Sequence, residues 1–262
     1  MNISFIGFGN IAKSIAKGLM HDKSNKLRAS APSLPIGIDG NGIQTCHDNL
    51  SVLPHADILI LTVKPPQMRA VMEQISTVIP EGCLIISVAT GINLCWFANY
   101  IPSKAVVRAM PNIAAAIGKS ATPLIANENA TNQQKQWAEQ IFNRLGIITW
   151  AQKESDIDTF TALSGSGPAY VFLFMESMIK SAVKLGIAKD VATSFTIQTF
   201  NGALNLVTES ELDIVELRKT VTSPAGTTAA AIEIFTQHGI DKLIDDAINA
   251  ACKRAKVLGE AS

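Results

Sequence analysis

The chain of 262 residues carries 22 basic and 22 acidic side chains, and 47% of its residues are hydrophobic against 17% charged. A neutral chain without a basic stripe excludes nucleic acid from the expected partners. No apolar stretch reaches the roughly 20 residues of a transmembrane helix, so we expect a cytoplasmic protein without a membrane partner. The apolar excess should be buried in its core or in contacts between subunits.

The first half of the chain alternates strands with helical segments. Residues 3–6 form a short apolar strand, and residues 11–20 show helical spacing. A second strand is predicted at residues 26–30. Three further runs are almost continuously apolar: residues 57–63, 84–88 and 105–110. Such runs are typical of parallel strands that are covered on both faces. This pattern predicts an α/β fold with a Rossmann-type sheet, whose strands bind ligands at their carboxyl ends.

From Trp150 onward the pattern is helix after helix. Pro168 suits the first turn of a helix, and the helix that follows is apolar on nearly every side, so it must be buried, for example against a partner subunit. We predict helices at residues 169–185, 188–207, 211–220, 228–237 and 240–258. The chain therefore divides into a dinucleotide-binding domain at residues 1–152 and an all-helical dimerisation domain at residues 153–262.

The cysteines and histidines follow no metal-ligand spacing, so we expect free thiols and no metal site. These residues are Cys46, Cys83, Cys95, Cys252, His21, His47, His55 and His238.

A glycine motif joins the first strand to the first helix. In Gly7-Phe8-Gly9-Asn10-Ile11-Ala12, the first glycine would allow the tight turn and the second would let backbone approach a pyrophosphate, while Ala12 replaces the third glycine. A plain glycine turn is the alternative, but the strand before the motif and the helix after it favour dinucleotide binding.

The second strand bears on which dinucleotide is bound. Where an NAD enzyme usually carries an acidic residue for the ribose 2′-hydroxyl, the chain reads Ser30-Ala31-Pro32-Ser33. This segment has no carboxylate that would repel the 2′-phosphate of NADP, and its serine hydroxyls can donate hydrogen bonds to that phosphate. The sequence therefore favours NADPH, with NADH as an alternative donor.

A second candidate for anion binding lies late in the chain, at residues 223–228. Ser223-Pro224-Ala225-Gly226-Thr227-Thr228 precedes an alanine-rich helix, so unpaired backbone N–H groups and hydroxyls lie together. An ordinary capped helix start is the alternative interpretation.

Together these segments resemble pyrroline-5-carboxylate reductase, over nearly the whole chain and in the order and spacing of that family. The segments that carry the resemblance are residues 7–12, 63–65, 87–92, 108–112, 162–170 and 222–228. The resemblance implies reduction of 1-pyrroline-5-carboxylate to proline with NADPH, the last step of proline biosynthesis. It also implies homodimers interleaved through the C-terminal helices, often assembled into a decamer.

Site residues follow from the resemblance, position by position. Those implied for the cofactor are Gly7, Gly9, Asn10, Ile11, Ser30, Ser33, Asn49, Val63, Lys64, Pro65, Ala89, Met110, Pro111 and Asn112. For the substrate carboxylate it implies the Ser223 hydroxyl and the amides of Gly226 and Thr227. The Thr228 hydroxyl would orient the ring nitrogen and so assist catalysis. Ala225 departs from the family, which commonly has glycine there; a positive φ at this position would strain the loop.

Three other functions are compatible with parts of this sequence. A β-hydroxyacid dehydrogenase shares the two-domain plan but uses a lysine in the helix after a glycine-rich break, whereas here no lysine follows Gly167 before Lys180. Another imine reductase is a further alternative. A non-catalytic NADP-sensing protein would need no second anion site, so residues 223–228 argue against it.

Overall fold

The computed structural model describes residues 1–260, which contain a nine-stranded sheet and ten α-helices. The strands are β1 (Asn2–Ile6), β2 (Lys26–Ser30), β3 (Gly37–Ile38), β4 (Gln44–Cys46), β5 (Ile58–Leu61), β6 (Leu84–Ser87), β7 (Val106–Ala109), β8 (Ser120–Ala126) and β9 (Gly146–Trp150). The helices are α1 (Asn10–Leu19), α2 (Pro65–Ile75), α3 (Leu94–Ala98), α4 (Asn132–Asn143), α5 (Glu154–Phe160), α6 (Gly167–Lys184), α7 (Lys189–Glu209), α8 (Ile214–Thr220), α9 (Thr227–Gln237) and α10 (Ile240–Glu260).

The sheet has the order β3-β4-β2-β1-β5-β6-β7-β8-β9. Its central strands are parallel, and only the β3–β4 and β7–β8 pairs are antiparallel. The chain winds outward from β1 in both directions, so the ends of β1, β2 and β5 meet at the point where ligands bind in such sheets. The predicted Rossmann-type fold is confirmed.

Apolar side chains on both faces hold this sheet. In β5, Ile58 and Ile60 join one buried cluster, whereas Leu59 and Leu61 join the other. The alternation follows from the two-residue period of a strand. All four side chains are fully buried, and each contributes about 2 kcal/mol through burial of apolar surface.

By compactness the chain separates into two units. The first holds Met1–Pro168 and the chain from Ala250 onward, and the second holds Ala169–Asn249. The predicted helices of the second half are confirmed, since α6 to α10 begin and end within about three residues of the predicted bounds. The division into domains at residues 1–152 and 153–262 stays a prediction.

The second unit has scarcely any core of its own. Ala192 and Thr196 are its buried residues, and α6 contains none. Large apolar side chains such as Phe172, Leu173 and Phe195 are 61%, 62% and 72% exposed in the single chain.

Among the described helices, none combines the length and apolarity needed to cross a membrane.

Candidate active site

A tight glycine turn leads from β1 into α1. Gly7 has φ +84°, which residues with a side chain rarely adopt. Its N–H donates to the Ser30 carbonyl at 2.9 Å, and its carbonyl accepts the Thr62 hydroxyl at 2.8 Å. A Cβ on Gly7 would lie 2.8 Å from the backbone nitrogen of Val63. The turn therefore requires glycine, and it is tied to the ends of β2 and β5.

The N-terminus of α1 is built to receive an anion. Gly9 is the N-cap and supplies no side-chain cap, and the first turn contains no acidic residue. The first N–H groups of a helix have no intrahelical partner, and the helix dipole places positive partial charge beside them. A Cβ on Gly9 would meet nothing within 4 Å, so the approach is open. This geometry fits a phosphate group.

A cavity of about 670 Å³, here called the turn cavity, opens beside Gly7 and Gly9. Its lining brings together the predicted cofactor residues Gly7, Gly9, Ser30, Ser33, Asn49, Val63 and Lys64. None of the described residues that line it is an aspartate or glutamate, and Lys64 and His47 supply basic groups. The turn cavity therefore suits the additional phosphate that distinguishes NADP from NAD.

The Ser30 hydroxyl is not available to a ligand, which corrects its predicted contact with the 2′-phosphate. Ser30 is fully buried, and its hydroxyl donates to Asn49 Oδ1 at 2.7 Å. The Asn49 amide in turn donates to Gln74 Oε1 at 2.8 Å. Ser30 thus orients Asn49, whereas Ser33 is exposed on the wall of the turn cavity. His47, which sequence reasoning missed, donates to the Leu34 carbonyl at 2.6 Å and steadies this loop.

The residues after β5 fix the entry into α2. Lys64 is the N-cap and Pro65 the first helical residue, a position that suits the fixed φ of proline. The Lys64 backbone N–H donates to Gln67 Oε1 at 3.3 Å, and the Lys64 side chain is exposed. Val63 and Lys64 line the turn cavity, whereas Pro65 does not; the next residue, Pro66, lines it instead.

A second cavity of about 600 Å³, here called the strand-end cavity, lies past the end of β7. It brings together the predicted residues Asn10, Ile11, Met110, Pro111 and Asn112. Ala89 lines neither cavity; it is buried after β6, and its N–H donates to the Ser87 hydroxyl at 3.3 Å.

Asn112 joins two parts of the wall of the strand-end cavity. Its Oδ1 accepts the Ala114 N–H at 3.0 Å and so caps a short 3₁₀ helix, Ile113–Ile117. Its amide also donates to the Ser164 carbonyl at 2.9 Å. Ser164 belongs to a π-helical turn, Thr161–Gly165, and such turns are frequent at functional sites.

A charged network that sequence reasoning missed supports the end of β7. The Arg108 side chain is 3% exposed and pairs with Glu154 Oε2 at 2.5 Å, while Glu154 Oε1 accepts the Leu94 N–H at 2.6 Å. Arg108 Nε has no hydrogen-bond partner among the described residues. Burial raises the pKa of the nearby Asp158 carboxyl, and the Arg108 charge opposes that rise. The network ties β7 to the first turns of α3 and α5.

The late anion-binding candidate lies in the second unit, where a turn leads into α9. The Gly226 N–H donates to the Ser223 carbonyl at 3.1 Å, and Ala225 has φ +58°. Proline at the second position and a positive φ at the third are the marks of a type II turn. Ala225 therefore occupies a left-handed conformation that usually takes glycine.

That turn corrects one predicted contact. Because the Gly226 N–H closes the turn, it is not free to bind a carboxylate. Gly226 is instead the N-cap of α9, without a side-chain cap and without an acidic residue in the first turn. The free donors are the amides of Thr227 and Thr228. In the described part of the chain, the hydroxyls of Ser223 and Thr228 make no hydrogen bond, so both can serve a ligand.

Comparison with known families finds matches in both halves of the chain. A family described as pyrroline-5-carboxylate reductase dimerisation matches residues 154–258. A family described as NADP oxidoreductase, coenzyme F420-dependent, matches residues 2–91. The two matches fall on the helical region and on the glycine turn with its sheet.

Individual relatives cover nearly the whole chain. A pyrroline-5-carboxylate reductase of Pseudomonas aeruginosa is 38% identical over 98% of this chain and 97% of its own length. The crystal structure of a Plasmodium falciparum pyrroline carboxylate reductase with NADP bound is similar with a TM-score of 0.89 at 28% identity, over 99% of this chain and 98% of that one. A pyrroline-5-carboxylate reductase structure from Coxiella burnetii has a TM-score of 0.89 at 37% identity, over 98% of each chain.

Proposed function

Because this chain belongs to the pyrroline-5-carboxylate reductase family, we propose that it reduces 1-pyrroline-5-carboxylate to L-proline with NADPH, the last step of proline biosynthesis. The observation that carries the proposal is the presence of two uncapped helix N-termini, at α1 and α9, each without acidic residues in its first turn. A reductase with a phosphorylated cofactor and a carboxylate substrate needs two anion sites.

The cofactor half of the site rests on backbone geometry. The amides of Asn10 and Ile11 would hold the pyrophosphate, since Gly9 leaves their approach open. Ser33 would contact the 2′-phosphate, and Asn49, oriented by Ser30, would contact the adenosine end. Val63 and Lys64 would line the cleft, and Met110, Pro111 and Asn112 would lie beside the nicotinamide, with Pro65 at the start of α2 and Ala89 buried just after β6. When bound, NADPH supplies the hydride.

The substrate half of the site rests on the turn before α9. The Ser223 hydroxyl and the amides of Thr227 and Thr228 would bind the carboxylate, and Gly226 would let it approach the helix end. The Thr228 hydroxyl would accept a hydrogen bond from the protonated ring nitrogen. The substrate imine takes one proton from solvent, and its C=N carbon then accepts one hydride, which yields the secondary amine of proline. Orientation and charge complementarity therefore carry the chemistry.

The test of this function is a set of steady-state rates. We expect proline to form from 1-pyrroline-5-carboxylate with NADPH, at a higher kcat/KM than with NADH or with the six-membered cyclic imine. Absence of proline with both cofactors would refute the proposal. A higher kcat/KM for the six-membered imine would keep the reaction type and change the substrate.

We further propose that the chain assembles through its helical region and acts in the cytoplasm. The helical region at residues 153–262 would pair two copies of the chain, because the apolar faces of α6 and α7 are uncovered in one copy, and five such dimers would form a decamer. The free thiols of all four cysteines are compatible with the reducing cytoplasm, where we place the enzyme.

A further inference from the structure

The last turns of α10 contribute a cation to the strand-end cavity. Arg254 lines this cavity together with Asn10, Met110, Asn112 and Ser166. Residues from Ala250 onward belong to the first compact unit, so the cavity lies within one unit. None of the other described residues that line it carries a charge.

The guanidinium of Arg254 has no acidic partner in the described part of the chain. On a helix, ion pairs form with residues three or four positions away, and around Arg254 those positions hold Ala250, Ala251, Val257 and Leu258. The same helix does form such a pair elsewhere, between Lys242 and Asp246 at 2.6 Å. The charge of Arg254 is therefore left for a ligand or for solvent.

A second source of positive potential faces the same space. Asn10 and Ile11 are the first residues of α1 and also line the strand-end cavity, so the positive end of the α1 dipole adds to the field of Arg254. A cavity lined by one sign of charge concentrates ligands of the opposite sign. An arginine can bind two oxygens of a phosphate or carboxylate at once.

We propose that Arg254 is a further ligand-binding residue, which donates hydrogen bonds to an anionic oxygen of a molecule bound in the strand-end cavity. The inference rests on the proposed function, which brings two sources of that oxygen: the diphosphate of NADPH and the carboxylate of the imino acid. Both offer the same chemistry to a guanidinium, and binding measurements separate them.

The experiment compares Arg254→Ala with Lys253→Ala in the full-length protein. Lys253 is the adjacent exposed cation on α10 and does not line the cavity, so it controls for the loss of one positive charge. The dissociation constant of NADPH and the KM for 1-pyrroline-5-carboxylate are measured for each variant. Loss of a charge-assisted bond should raise one of them about tenfold or more in Arg254→Ala, with a smaller rise in Arg254→Lys. Lys253→Ala should stay within about twofold of the wild type.

The pattern of change identifies the ligand group. A raised dissociation constant for NADPH assigns Arg254 to the diphosphate, whereas a raised KM with unchanged NADPH binding assigns it to the carboxylate. Both constants within about twofold of the wild type would overturn the inference. Should Arg254→Ala fail to fold, Arg254→Gln keeps the length of the side chain and replaces it in the same comparison. The wild type is assayed first, so a failure of the proposed function is seen as absence of turnover before any variant is compared.

Discussion

The two compact units bury their apolar residues in opposite ways. In the first, the strands of the sheet are covered on both faces, and the side chains of β5 are fully buried within one chain. In the second, α6 has no buried residue and displays Phe172 and Leu173 to solvent. Apolar surface of this extent on a folded chain marks an interaction site. The first unit buries its apolar residues within a single chain, whereas the second needs a partner to cover its apolar residues.

The residues proposed for the cofactor and those proposed for the substrate also belong to different units. The turn cavity and the strand-end cavity are formed within the first unit and rest on a glycine turn, a sheet edge and buried hydrogen bonds. The turn at Ser223 and the N-terminus of α9 belong to the second unit. We therefore expect cofactor binding to survive in a separated chain, and substrate binding to depend on assembly.

The largest effect should follow from a charge on the exposed face of α6. Phe172→Asp would bury a carboxylate in the proposed contact between copies, at a cost of several kcal/mol. We expect monomers, and proline formation reduced by about 100-fold or more, while the NADPH dissociation constant changes by less than about threefold. Sedimentation velocity and steady-state rates measure the two properties.

A matched control places the same charge on the first unit. Val78 is 52% exposed, and Val78→Asp should leave both assembly and activity intact. A Phe172→Asp protein that still dimerises at low micromolar concentration would contradict the division between self-sufficient and partner-dependent units.

The next effect concerns the two glycines of the turn before α1. Gly7→Ala places a Cβ 2.8 Å from Val63 N and 2.9 Å from the Thr62 carbonyl carbon, at φ +84°, so it should lower the free energy of unfolding by about 3 kcal/mol. Gly9→Ala meets nothing within 4 Å and should change stability by less than about 0.5 kcal/mol. It should nevertheless raise the NADPH dissociation constant about tenfold, since the methyl group occupies the approach to the helix end.

Denaturant unfolding and NADPH titration separate these roles. Equal stability of the two variants would show that the turn is not constrained as the structure indicates. Unchanged NADPH binding in Gly9→Ala would remove the α1 N-terminus from the cofactor site.

A smaller effect is expected at Thr228, in the second unit. Thr228→Ala removes the hydroxyl proposed to orient the imine and should lower kcat/KM about tenfold to 100-fold, whereas Thr228→Ser should restore most of it. Thr236→Ala is the matched control, because the Thr236 hydroxyl lies farther along α9 and donates to the Ile232 carbonyl at 2.9 Å. An unchanged kcat/KM in Thr228→Ala would end its assignment as a catalytic assistant.

The elements that can be predicted from the sequence are those whose signal is local. Continuous apolar runs predicted β5, β6 and β7, and helical spacing predicted α6 to α10. Strands β8 and β9 were not predicted, because neither has such a run: β8 contains Pro123, and β9 alternates exposed with half-buried residues at the edge of the sheet. Edge strands need only one covered face, so their pattern is weaker.

Motifs in the sequence predicted where the site lies, but not which hydrogen-bond donors are free for a ligand. The glycine turn and the residues 223–228 were found by their spacing, yet the burial of the Ser30 hydroxyl depends on Asn49, 19 positions away. The Gly226 N–H is likewise occupied, because it donates to the Ser223 carbonyl and closes the turn. Arg108 begins one of the segments that carry the resemblance and Arg254 belongs to none of them, but neither role could be predicted, because the partner of one and the cavity of the other come from distant parts of the chain.

The smallest expected effect tests whether the second unit carries strain in its proposed substrate turn. Ala225 has φ +58°, a conformation that costs a residue with a Cβ about 1 kcal/mol or somewhat more, and glycine removes that cost. Ala225→Gly should therefore raise stability by about 1 kcal/mol, less the entropy that glycine adds to the unfolded chain. Ala230→Gly is the matched control: Ala230 is exposed within α9, so the same substitution should destabilise by about 1 kcal/mol.

Opposite shifts of melting temperature in the Ala225→Gly and Ala230→Gly variants would confirm the strain at Ala225. A loss of stability in both variants would mean that the turn holds Ala225 without backbone strain. If the strained turn also limits substrate binding, the KM of Ala225→Gly for 1-pyrroline-5-carboxylate should fall while NADPH binding, which we assign to the first unit, stays unchanged.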